Sequence, residues 1–86
     1  MSNFESAKPL EALGITPREA EVLLWVAQGK ANDEIATILG CAENTVKVHL
    51  ARTFEKLGFE NRNAAAVCAL EVLSSPSVQK PQPRTA

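Results

Sequence analysis

Residues 44–58 read NTVKVHLARTFEKLG, and the fold turns on how this stretch divides its faces. Val46, Leu50, Phe54 and Leu57 recur at three- and four-residue intervals, the spacing that lines one side of an α-helix for burial. At about 100° per residue, Asn44, Lys47, Val48 and Ala51 gather about a third of a turn away, on a side the core does not use. That outward stripe has the chemistry of base-edge reading in a DNA major groove. Lys donates to guanine O6 and N7 or to phosphate, Asn pairs with an adenine edge, and Val meets a thymine methyl. Ala51 leaves room for close approach. By itself the stripe fits equally well a solvated face that carries one lysine and one stray valine.

Working outward, the flanking signals predict three more helices and leave no room for a sheet. Thr16-Pro17-Arg18-Glu19 is a capping box: Thr16 caps, Pro17 suits the first helical position, and Glu19 reaches back to the Thr16 amide. The helix it opens is expected over 17–28, ending near Gly29. Asn32 is expected to cap a short second helix, with Asp33 and Glu34 in the first turn where the helix dipole favours acids and Gly40 as its stop. After the turn GCAE, the third helix occupies about 43–57 and ends at Gly58. Asn61 caps the fourth, RNAAAVCALEVL, which is apolar on nearly every side. A surface helix has one apolar stripe. This one therefore predicts a second copy of the chain, meeting Ala65, Ala66, Ala69 and Val72.

The expected architecture is all-α: a four-helix unit over 13–73, a flexible leader or linker over 1–12, and a disordered tail over 74–86. The tail, SSPSVQKPQPRTA from Ser74, has three prolines and too little apolar surface to offset the entropy of ordering. Eighty-six residues hold one small core and not two domains. With 45% apolar and 22% charged residues, the chain should fold. The longest apolar run, Ala64–Leu70, is far short of the roughly 20 residues that cross a bilayer, so no membrane span is expected. No secretory signal opens the sequence, which predicts a cytoplasmic protein whose Cys41 and Cys68 are free thiols filling apolar space.

Four segments in order, ITPREAEVL from Ile15, AQGKANDEIATILG from Ala27, NTVKVHL from Asn44 and KLGFENR from Lys56, resemble the LuxR/GerE type of bacterial transcription-factor DNA-binding domain. The resemblance covers about 60 residues without an insertion. It implies that the second and third helices form a helix-turn-helix and that the fourth supports a two-fold dimer. It also implies that Lys47 and Val48 enter the groove, with Asn44 and Thr45 near the helix entry. Lys56 and Arg62 match positions where contact with the DNA backbone is expected, and Ala51 and Arg52 complete the DNA-facing set. Glu21 matches an acidic position with a structural role. Gly29, Ile35, Ala36, Val46 and Leu57 match the framework. The implied partners are double-stranded DNA and a second copy of the chain, with a sensor or receiver domain, or RNA polymerase, beyond them.

Some residues depart from that pattern. Ala42 stands where a serine cap is frequent, and losing a cap costs about 1 kcal/mol. Ala51 and Glu55 replace frequent basic residues, and Glu60 adds a negative charge beside the last turn. Between 13 and 73 there are six basic and eight acidic residues, a net of −2. The competing reading is a protein-interaction module that keeps the helix-turn-helix architecture with weak or no DNA binding. Separately, Leu24 and Trp25, left over once Val22, Leu23 and Val26 are buried, give either an apolar patch for a partner domain or a small core that uses Trp25 and leaves Leu24 partly bare. An enzyme is not expected: no phosphate loop, paired carboxylates or nucleophile-base set is present. No cofactor or metal is expected either. His49, the only histidine, has no ligand set around it and is read as structural.

Overall fold

Thr16 opens the first long helix as the capping box requires. Its hydroxyl accepts from the Glu19 amide at 3.1 Å and its own amide donates to Glu19 Oε1 at 3.0 Å. The computed structural model describes residues 6–74, which form a short 3-10 helix, Lys8–Leu13, followed by α1 (Pro17–Ala27), α2 (Asn32–Leu39), α3 (Glu43–Leu57) and α4 (Arg62–Ser74). No strand occurs among the described residues. The expected all-α fold and its four helices are thus present.

α1 is the hub, packing against α4, α3 and the 3-10 helix. Val22, Leu23 and Val26 of α1 are buried together with Ile35 of α2 and Val46 and Leu50 of α3. Each large aliphatic taken from water in this way contributes roughly 1.5–3 kcal/mol. Thr53 is the polar residue of α3 that shares the core, and its hydroxyl donates to the His49 carbonyl at 2.8 Å, so its burial leaves no donor unmet. Phe54 and Leu57, expected on the buried stripe, are half-buried at its edge. There the Phe54 ring stacks edge-on against Phe59 at 5.9 Å.

The turn between α2 and α3 is closed by backbone bonds. Gly40 takes φ +71°, a conformation that costs other residues energy, and the Cys41 amide then donates to the Ala36 carbonyl at 3.0 Å. α2 itself starts differently from expectation. Its N-cap is Ala31, whose amide donates to Glu34 Oε1 at 2.8 Å, and Asn32 is the first helical residue, its side chain committed elsewhere. α3 starts at Ala42 with no side-chain cap, and α4 is capped by Asn61, whose Oδ1 accepts from the Ala64 amide at 2.8 Å.

The leader needs correction. Residues 8–13 fold as the 3-10 helix against α1 and α4, and Leu10 is 0% exposed, so the folded unit begins before residue 13. Leu24, expected to be bare, is buried and shares a small cleft with Ser6, Trp25 and Gln28. The expected tail overlaps the structure only at Ser74, which is helical; residues 75–86 and 1–5 lie outside the described residues.

Candidate nucleic-acid interface

The outward face of α3 is set by the burial of the inward one. With Val46, Leu50 and Thr53 fixed in the core, Asn44, Thr45, Lys47, Val48, Ala51 and Arg52 are all exposed, Val48 at 41%. From Asn44 to Arg52 the helix rises about 12 Å, which matches the roughly 12 Å width of a major groove. Among the described residues, Lys47 and Val48 both stay exposed to solvent. Neither Lys47 nor Arg52 is held in an ion pair among the described residues, so both cations remain available to a ligand. Glu43 and Glu55 are exposed on the same helix and offset them.

Two other expected DNA contacts are engaged inside the molecule. The Lys56 ammonium lies 2.7 Å from Glu19 Oε1, joining the end of α3 to the start of α1. Burial by itself would favour the neutral Glu19 acid. The Lys56 hydrogen bond and charge and the Thr16 amide outweigh it, and the carboxyl titrates below the ordinary glutamate range. Arg62 donates through Nη1 to Asn32 Oδ1 and through Nη2 to the Lys30 carbonyl, both at 2.7 Å, fastening α4 to the α1–α2 turn. Sequence reading missed both links because their partners are 37 and 30 residues apart, and no local pattern announces such a pairing. Glu21, expected to be structural, pairs with Arg18 at 2.9 Å. His49 is half-buried at the border of the two faces.

The expected dimer residues also move. Ala65 and Ala69 are 0% exposed within their own chain, and Ala66 and Val72 pack against the same core. Their small or compact side chains let α4 lie close on α1. What α4 turns outward is Val67 and Leu70, 48% and 43% exposed. Cys41 and Cys68 are free and half-buried. Among the described residues no group of His, Cys, Asp and Glu could hold a metal ion, and no helix is long and apolar enough to cross a membrane.

Comparison with known proteins gives this geometry a context. The family model described as "Bacterial regulatory proteins, luxR family" matches residues 14–69. The chain is 49% identical over 63 residues to the HTH-type quorum sensing-dependent transcriptional regulator RpaR of Rhodopseudomonas palustris, covering 73% of this chain and 26% of that protein. It is 45% identical over 58 residues to the transcriptional activator protein AnoR of Acinetobacter nosocomialis, covering 67% and 24%. Against the transcriptional activator protein LuxR of Aliivibrio fischeri it is 48% identical over 48 residues, covering 56% and 19%. The chain thus spans about a quarter or less of these relatives. No solved structure matches it.

Proposed function

Because the chain belongs to the luxR family of bacterial regulatory proteins, we propose that it is a sequence-specific DNA-binding unit of transcriptional regulation, with α3 as its recognition helix. The observation that carries this reading is the stripe Asn44, Thr45, Lys47, Val48, Ala51 and Arg52, of groove width and exposed throughout among the described residues. Lys47 is the donor to guanine or phosphate, Val48 the contact for a thymine methyl, and Asn44 the partner of an adenine edge near the helix entry. Thr45 and Arg52 sit at the borders of the stripe, where sugar and phosphate approach. Lys56 serves instead to hold α3 in place, and Arg62 ties α4 to the α1–α2 turn with part of its donor set.

Two cations balanced by Glu43 and Glu55 give one copy little attraction for phosphate, since binding is driven by counterions released at each contact. Useful affinity then comes from a homodimer that sets two copies of α3 in successive major grooves, with half-sites about 10 bp apart. The exposed pair Val67 and Leu70 on α4 is the surface for it. It is small beside the roughly 800 Å² per partner of a stable interface, so the dimer forms on the palindrome rather than ahead of it. Cytoplasmic residence and coupling to a sensor or receiver domain belong to the same proposal.

Selection of bound sequences from random duplex DNA, followed by titration against salt, tests it. A two-fold motif and an affinity that falls as salt rises are expected. Sequences indistinguishable from the starting pool would sink the reading. The second reading, a protein-interaction module, is favoured by the acidic balance, by Ala51 and Glu55, and by the internal commitment of Lys56 and Arg62. It predicts weak or no duplex binding and no selected motif.

A further inference from the structure

An open cleft of about 490 Å³ lies between the α1–α2 turn and the start of α4. Val26 and Ala66 supply its apolar lining, and Lys30, Arg62 and Asn63 its polar lining. Arg62 is held rigid there by its bonds to Asn32 Oδ1 and the Lys30 carbonyl. Both acceptors are neutral. Among the described residues no carboxylate pairs with Arg62, and none pairs with Lys30, which is also half-buried. Partly buried cations without a counter-charge lose solvation yet keep their attraction for an anion. A guanidinium has five N–H donors, so Arg62 retains three beyond those already used. The acids nearest in sequence are Asp33, Glu34 and Glu60. None of them lines the cleft, and Glu34 Oε1 is taken by the Ala31 amide.

We infer that this cleft is a phosphate site formed by Arg62 and Lys30, with Asn63 as an added donor, and that the phosphate it takes belongs to the DNA backbone. The inference rests on the DNA-binding reading above and extends it to Lys30 and Asn63. Size and position choose the source of the phosphate. The cleft is many times the roughly 30 Å³ that one water occupies and is open to solvent, which suits a passing run of sugar and phosphate better than an isolated ion. It also adjoins the start of α2, the first helix of the helix-turn-helix, which is the element that crosses the backbone in this docking geometry. Because Arg62 is immobilised before DNA arrives, little side-chain entropy is left to lose on contact.

The test is fluorescence anisotropy of the 86-residue chain on a selected duplex and on a scrambled one across a salt series. Lys30→Gln is the variant, because the fold uses the Lys30 carbonyl and not its ammonium. The expected result is a log–log salt slope smaller by about 0.9, with a similar several-fold loss on both duplexes. Lys47→Ala should instead weaken the selected duplex more than the scrambled one, narrowing the preference between them. An unchanged slope for Lys30→Gln, with the wild type still preferring the selected duplex, overturns the cleft assignment and leaves the reading of α3 standing. A wild type that binds neither duplex overturns both. Inorganic phosphate at millimolar concentration supplies the other arm. If it shifts the amide signals of residues 30, 62 and 63 while the duplex slope of Lys30→Gln stays at the wild-type value, the cleft takes free anions and the backbone assignment falls.

Discussion

Lys47 and Lys56 lie on the same helix and carry the same charge, yet the fold gives them different work. Lys47 is exposed without a partner, so Lys47→Ala should leave stability within about 0.5 kcal/mol of the wild type. The same change should remove about 1–3 kcal/mol of discrimination at a single base pair, read by anisotropy on duplexes varied one position at a time. Lys56 closes on Glu19 at 2.7 Å, and Glu19 is buried. Lys56→Met should therefore destabilise the fold by about 1–2 kcal/mol in urea titration, the low end for a charged hydrogen bond because the lysine is part-exposed. Acid acts on the same link. The folded carboxyl titrates below its unfolded value of about 4.3, so its contribution is complete above that pH and is lost as pH falls through the lower folded value. Melting curves of Glu19→Gln and wild type should differ at pH 7 and converge once the pH has fallen below the folded carboxyl's lowered value.

At the scale of elements, the helices were legible where a local signal sets them and obscure where a distant residue does. The Thr16 capping box, the Asn61 cap and the glycine stops at residues 40 and 58 all act within a few positions, and the structure places them as the sequence implies. Asn32 looked like a cap by the same local logic, but Arg62 takes its side chain and the backbone shifts the cap to Ala31. The 3-10 helix was missed because Ala7 and Leu10 make only two buried contacts' worth of pattern in a segment interrupted by Pro9, too short for a periodicity to emerge. On α4 the reverse happened: apolar residues on every side were visible, but which side the core claims depends on α1, and it claims Ala65 and Ala69. Two substitutions test the turn into α3. Ala42 has extended backbone angles, φ −77° and ψ 151°, suited to a capping hydroxyl, so Ala42→Ser should stabilise by roughly 0.5–1 kcal/mol. Gly40→Ala meets nothing within 4 Å, so its loss of about 1–2 kcal/mol is conformational alone. Both are checked by chemical denaturation.

For the molecule as a whole, charge and shape together set how it binds. On the proposed function, an acidic unit with two uncommitted cations on α3 would depend on pairing for affinity, with the outward residues of α4 as the proposed surface. Leu70→Glu should leave the melting temperature nearly unchanged, because Leu70 is largely exposed. It should bring affinity for a palindromic duplex down to that for a single half-site, a comparison made on one gel with both duplexes. Loss of both affinities together would move Leu70 from pairing to folding. The stretch from Lys8 to Leu13 bears on this arrangement, since it grips α1 and α4 at once. In a longer polypeptide, anything spliced ahead of residue 6 would pull directly on the hub that seats α4. A twist applied at residue 6 would then travel through that packing to α4, as through a stiff coupling.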